Sequence, residues 1–397
     1  MDRRRAADVL IVSLGSTAGL RRADDELADS LRRAGASVAL ACAEPPAALP
    51  TLMLTDLAWA RAARAAADKM LAELRGAVAV IYSSTTAALL WPRPGAIRFD
   101  ALSRANRPGR HGLWQRPLER RRLAQAPLWL PWSEGALLEL SAPPRPEKTI
   151  VLPVPIAASA PDTPARDTLE RDTLARDTPA RDTPAPHNPA PGARAGSGAD
   201  PEPDPANGEP PSGSRTRDIA AITYAANPSK KGLDRVLSAW RRVRAARGPW
   251  AAEELVVAGA SAPELERAGL IVPNEAGVRA VGPLATGEYR ALLRRARVFV
   301  CAPRREDFGI AQLEALADGC LLVTNAAPGP YAALPIARTL DPRLVGEDLA
   351  GSLLTALDDP ATDYAERARV ALAPFRREAI DRLVARELLP RLLSEAL

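Results

Sequence analysis

Residues 298–324 read VFVCAPRREDFGIAQLEALADGCLLVT, and this stretch decides the fold class. Val298–Cys301 is a run of β-favouring apolar residues, stopped by Ala302 and Pro303. Ile310, Leu313, Leu316 and Ala317 recur at helical spacing, and Leu321–Thr324 is a second apolar run after Gly319. Strand, helix and strand in so short a span form a crossover unit of a parallel sheet. The connection from Arg304 to Phe308 therefore leaves the carboxyl end of a strand, the edge at which such sheets take ligands. It carries Arg304, Arg305 and Glu306, and a second acid, Glu314, lies eight positions on, about one turn into the helix. Gly309 lets the backbone approach an anion closely, and the amides of the following turn are free to hold a phosphate. An acid one turn into that helix can then accept hydrogen bonds from hydroxyls of the same ligand. The alternative is a solvated loop acid and an acid at the border of the helix's core stripe, and position alone does not separate the two.

The same alternation runs outward in both directions. Upstream, apolar runs at 8–14, 37–42, 77–82, 96–99, 126–130 and 149–155 are spaced by helical patterns at 24–33 and 54–75. Downstream lie strands at 219–224 and 255–258 and helices at 233–246 and 288–295. Strands alternating with helices of ten to twenty residues predict α/β layers around parallel sheets. Between the two sets, residues 158–217 hold a five-residue repeat (DTPAR, DTLER, DTLAR, DTPAR, DTPAP) and then a proline- and glycine-rich run. This block has few large apolar groups and no period of 2 or 3.6, so a disordered linker is expected. The expected organisation is a Rossmann-like lobe at 1–157, the linker at 158–217, a second Rossmann-like lobe at 218–360, and helices at 361–397 broken near Pro374 and Pro390. Those last helices are expected to pack against the lobes.

Composition narrows the function classes. With 397 residues and 47% hydrophobic content the chain can bury two cores. Aromatics are 4%, too few for single-stranded nucleic-acid stacking platforms, and a net charge of +5 is a modest excess. Nucleic-acid binding is not expected. Cys42, Cys301 and Cys320 share no metal-ligand spacing, and His111 and His187 are the only histidines, so no metal site is expected. No stretch reaches the twenty or so apolar residues of a spanning helix. The opening reads as a first strand rather than a signal peptide. The expected location is the cytoplasm, with peripheral contact at the inner membrane face as an option.

Taken together, Glu306–Glu314 with Phe308-Gly309 between them, the Leu255-Val-Val-Ala-Gly259 step and the Val281-Gly282-Pro283 passage followed by Glu288-Tyr-Arg-Ala-Leu-Leu293 resemble the retaining GT-B glycosyltransferases of family 4. The resemblance is good over 218–330 and loose in the first lobe. It implies a GT-B fold of two Rossmann-like α/β/α lobes facing across a cleft, and a hexosyltransferase-like activity with a nucleotide-diphosphate sugar as donor. It further implies that Glu314 takes the ribose hydroxyls and Glu306 faces the donor sugar. Phe308, Gly309 and Ile310 would present amides to the sugar or phosphates. Lys231 matches the family's lysine facing the diphosphate, with Lys230 as an extra amine. The arginine expected beside it is missing, since Ala225-Ala226 stands there, and Arg304 or Arg305 is the expected substitute. When the nucleotide leaves, negative charge grows on its β-phosphate and a cation must meet it.

In the first lobe, Gly15 and Gly19 resemble the family's glycine loop over the donor phosphates, although a simple tight turn explains them equally. Asp100 matches the acid after a middle strand, without the histidine that often precedes it. His111, in an Arg- and Gly-rich loop, is the nearest candidate. Arg98, Arg104, Arg107 and Arg110 make a basic run on the acceptor side, near Trp91, Trp114, Trp129 and Trp132. The acceptor is a sugar, a lipid or another small molecule. The competing reading is a nucleotide-sugar-binding protein of the same fold that has lost turnover.

Overall fold

The computed structural model describes residues 5–47, 49–75, 78–107, 109–141, 143–157, 217–248 and 252–394. The linker expected at 158–217 lies outside the described residues, save for Arg217. The first lobe is built of β1 (Val9–Ser13), α1 (Ala18–Arg33), β2 (Val38–Cys42), α2 (Leu52–Glu73), β3 (Ala79–Tyr82), β4 (Ala96–Phe99), α3 (Gln115–Gln125) and β5 (Trp129–Pro131). These five strands form a parallel sheet in the order β2-β1-β3-β4-β5. Two of its helices open on a threonine that bonds a backbone amide three residues on: Thr17 to Leu20 at 3.2 Å, and Thr51 to Leu54 at 3.3 Å.

The second lobe comprises β6 (Ile219–Tyr224), α4 (Leu233–Arg247), β7 (Leu255–Ala258), β8 (Val278–Gly282), α5 (Thr286–Arg295), β9 (Ala296–Cys301), α6 (Ile310–Ala317), β10 (Leu321–Thr324), α7 (Ala333–Leu340) and α8 (Leu349–Asp358). Its sheet is also parallel, in the order β8-β7-β6-β9-β10. Strand order reverses between β6 and β9 here, and between β1 and β3 in the first lobe. Crossovers leave opposite faces at these points, so a crevice opens beyond the carboxyl ends of the strands.

Four strands (Ala96–Phe99, Ile219–Tyr224, Leu255–Ala258 and Leu321–Thr324) and the helix Ile310–Ala317 coincide with their expected bounds, and two expectations need correction. Residues 149–155 form no strand. They run extended beside β5, where Ile150 and Leu152 amides donate to Trp129 and Pro131 carbonyls at 3.0 and 2.8 Å, and Pro153 and Pro155 lack the amides that would continue the ladder. At Pro390 the chain does not break. A wide π-type turn at Val384–Leu388 precedes α11 (Leu389–Ser394) and accommodates the missing amide. At Pro374 the break does occur, as a 3-10 turn between α9 (Tyr364–Ala371) and α10 (Arg377–Leu383). The edge strand β8 carries no sequence expectation, because half-exposed residues and Arg279 interrupt its apolar run.

The C-terminal helices divide their packing. Tyr364, Ala368 and Leu372 join the second lobe's core, whereas Ile380, Val384, Leu388 and Leu392 join the layer beneath the first lobe's sheet. Arg33 forks onto Asp381 at 2.7 and 2.8 Å and Arg377 meets Glu26 at 2.8 Å, so α1 is tied to this segment. The second lobe's core also takes in Ala23, Trp132, Val154 and Ile156 of the first. Trp132 meets Phe308 edge-on at 5.4 Å, an arrangement aromatic quadrupoles favour.

Candidate active site

Lys231 and Glu306 come from the two sides of the second lobe's switch point. Lys231 follows β6, at the end of a single helical turn (Pro228–Lys231) capped by the Asn227 side chain. The two lysines thus close this turn rather than open the long helix, which starts at Leu233 after Gly232. Gly232 holds a left-handed φ of 64°, and a Cβ there would lie 1.9 Å from the Ala302 carbonyl oxygen. Only glycine lets the turn press on the β9 exit. The Arg304 amide, in turn, donates to the Lys230 carbonyl at 3.1 Å. This seam brings Lys231 Nζ to 2.7 Å from Glu306 Oε2, and Gln312 Nε2 donates to the same oxygen at 3.0 Å.

Glu306 is buried, 5% exposed, and held by its own backbone: its amide donates to the Pro328 carbonyl at 3.1 Å. Gly309, with a left-handed φ of 91°, turns the chain into α6, whose first turn has no side-chain cap. Ile310 opens the helix. Phe308 is buried between Trp132 and Phe375, so only its backbone is available to a ligand.

Glu314 is not at the border of the helix's core stripe. It is 4% exposed, and Gln312, Leu313, Ala315 and Leu316 around it are buried as well. What the apolar pattern does not disclose is its partners. Arg22 of α1, in the other lobe, donates to Glu314 Oε1, and Arg290 of α5 lies 3.9 Å from the same oxygen. Arg290 is itself forked onto Asp318, with Nη2 to Oδ1 at 2.9 Å. Gln312, Arg22 and Arg290 are neighbours that sequence reasoning missed. Arg290 left one signal, a charged residue beside the Tyr289–Leu293 stripe of α5; a partner 292 positions away leaves none.

The remaining cations are committed to other acids. Lys230 meets Asp307 at 3.2 Å, Arg304 meets Asp234 at 2.8 Å, and Arg305 meets Asp307 at 2.8 Å and Glu139 of the first lobe at 2.6 Å. Ala226 is exposed at the end of β6. Arg98, expected among the basic groups of the acceptor side, is instead buried. Its guanidinium lies 4.8 Å over Trp132, donates to the Ala23 carbonyl at 2.8 Å and faces Asp24 at 3.7 Å. Burial pushes Asp24 up and lowers the Arg98 guanidinium to about 10, so the arginine stays charged at neutral pH. Trp91 and Trp129 are core residues, and His111 sits on an exposed turn.

At the first lobe's switch point, Gly15 follows β1 in a left-handed turn with φ 55°, its carbonyl accepting from Arg21 Nη1 at 2.5 Å. Beside it is a cavity of about 230 Å³ lined by residues that include Ser16, Thr55, Trp59, Thr85, Asp100 and Arg107. Asp56 lines it too, and is forked onto Arg107 at 2.7 and 3.0 Å. Burial, followed by the charge of Asp307, raises the Asp100 carboxyl to about 6. A folded-state value above the ordinary 3.8 means that the native protein binds the extra proton between those two values. Stability is therefore lost as pH rises through that window. Asp100→Asn is expected to raise the denaturant-derived stability by about 1–2 kcal/mol at pH 7.5, allowing for screening of a half-buried group, and by nothing near pH 4. A gain of equal size at both pH values would contradict this origin.

Among the described residues no group of three or more His, Cys, Asp or Glu is arranged to hold a metal, and no helix is long and apolar enough to cross a membrane. Residues 218–359 match the family model of glycosyl transferases group 1. No curated protein sequence matches the chain. Solved structures similar to it include WaaG, a glycosyltransferase involved in lipopolysaccharide biosynthesis, at 14% identity and TM-score 0.58, covering 96% of this chain and 99% of that one. The sucrose-phosphate synthase of Thermosynechococcus elongatus matches at 16% identity and TM-score 0.59, over 99% of this chain and 100% of that one. An E. coli trehalose-6-phosphate protein bound with UDP-2-fluoro glucose matches at 11% identity and TM-score 0.58, over 99% of both chains. The chain has the two-lobed GT-B fold, and its second lobe matches the family model of glycosyl transferases group 1.

Proposed function

We propose that the chain is a retaining glycosyltransferase that moves a sugar from a nucleoside diphosphate donor to an acceptor bound in the first lobe. The observation that supports this best is the pair of buried acids on one loop-and-helix unit, Glu306 with Lys231 at 2.7 Å and Glu314 one turn into α6. A site that only stored a nucleotide would need the ribose acid more than the one beside the sugar.

In this reading Glu314 accepts from the ribose hydroxyls, and the uncapped amides at Gly309 and Ile310 meet the diphosphate. Glu306 accepts from a donor-sugar hydroxyl. As it does so, Lys231 turns from Glu306 toward the β-phosphate, whose charge grows while the glycosidic bond breaks. Asp100 lies in the cavity that would receive the acceptor, and its raised carboxyl suits proton exchange with an acceptor hydroxyl near neutral pH.

The test is titration and turnover of the full chain against UDP-, GDP- and ADP-sugars. Expected are micromolar binding of one donor and slow release of its sugar to water. Ala226, in the place of an expected arginine, favours a second reading, a protein that binds the donor without turnover. Binding with no hydrolysis, and no transfer to any acceptor offered, would support that instead. Binding of none would remove the nucleotide-sugar reading.

A further inference from the structure

The first turns of α1 and α6 converge although they belong to different lobes. A Cβ on Gly19 would lie 3.7 Å from Ile310 Cδ1, and Leu20 and Ala23 pack on the second lobe's core. One turn along each helix, Arg22 donates to Glu314. Resting on the nucleotide-sugar reading above, we infer that Arg22 is a cation for the donor's diphosphate, exchanging Glu314 for the phosphates as the ribose hydroxyls take up that carboxylate.

Four observations carry this. Arg22 is 27% exposed on its side chain, so the guanidinium has room to turn. Glu314 keeps a second cation, Arg290 at 3.9 Å, and gains hydroxyl donors when ribose binds, so releasing Arg22 strands no buried charge. Arg304 and Arg305 are paired with Asp234, Asp307 and Glu139, acids that no donor group displaces in the proposed pose. Finally, α1 is fixed at this point. Arg98 holds the Ala23 carbonyl at 2.8 Å, and Ser13 Oγ bonds Asp24 Oδ2 at 2.5 Å, so the side chain moves while the helix stays. The charge missing at position 226 of the second lobe is then supplied from the first, and donor binding is sensed by both lobes.

The experiment is calorimetric titration of the full chain with UDP, GDP and ADP and with the matching nucleosides. The variants are Arg22→Ala, Arg22→Lys, Arg22→Gln and the double variant Arg22→Ala/Ala226→Arg. Expected for Arg22→Ala is at least a tenfold loss of affinity for the preferred diphosphate, with the nucleoside unchanged or tighter because Arg22 no longer competes with the ribose hydroxyls for Glu314. Arg22→Lys recovers part of the loss, and the double variant recovers more. Arg22→Gln keeps a donor for Glu314 and removes the charge, so it gives the same answer should the alanine variant fail to fold. Equal losses for nucleoside and diphosphate, or an unchanged diphosphate affinity, would overturn the assignment to Arg22 and leave the donor site standing. No nucleotide binding by the wild type would overturn both.

Discussion

Lys231→Ala is expected to lower glycosyl transfer, or donor hydrolysis where the acceptor is unknown, by about 100- to 1000-fold, the usual cost of removing one preorganised group that stabilises developing charge. The same change has a second, separable effect. Lys231 Nζ and Gln312 Nε2 are the two side-chain donors on Glu306 Oε2, at 2.7 and 3.0 Å, and Glu306 is buried. Loss of the ammonium leaves that carboxylate with the amide alone, at a cost of about 1–3 kcal/mol in stability. Lys231→Ala combined with Glu306→Gln removes the unpaired charge along with its partner. The double variant should recover stability and stay inactive. Urea unfolding and single-turnover rates on the same four proteins make the cycle. A double variant that recovers turnover as well would show that Lys231 acts on Glu306 and not on the departing phosphate.

Glu314→Ala should weaken donor binding ten- to a hundredfold, since a hydrogen bond to a charged acceptor contributes about 1.5–3 kcal/mol. Its structural cost should be small. Arg290 keeps Asp318 at 2.9 Å, and Arg22 is exposed enough to turn to water. The check is affinity for nucleoside and diphosphate by calorimetry, beside a melting curve. The loss belongs to both ligands, because both carry the ribose. This separates Glu314 from Arg22, whose removal spares the nucleoside. A nucleoside affinity unchanged in Glu314→Ala would detach the acid from the ribose.

Local order was legible where one strong period ran between two punctuating residues. Ile219–Tyr224, Leu255–Ala258, Ile310–Ala317 and Leu321–Thr324 have the bounds their apolar runs predict. Both acids, the lysine and the glycine turn were also visible, because the chemistry sits within a few residues of a strand's carboxyl end. Less legible were elements whose signal is diluted. β8 is a half-exposed edge, and residues 149–155 have a strand's composition but prolines where its amides should be. Burial of Glu314 was misread because an apolar stripe marks only one face, while α6 is covered on more than one.

The sequence by itself determined the crossover units, the parallel sheets they imply, and which side chains leave the strand ends together. Those follow from steric periods and turn chemistry, which act over a few residues. Only the tertiary structure decided that Arg22 meets Glu314, that Arg98 is buried against the Trp132 ring and that Arg305 reaches Glu139. The first and last of these depend on how the two lobes come together, and the second on how strand and helix pack within the first lobe. A charged residue's partner is set by distance in space and by the water excluded there, and neither leaves a trace in its neighbours along the chain.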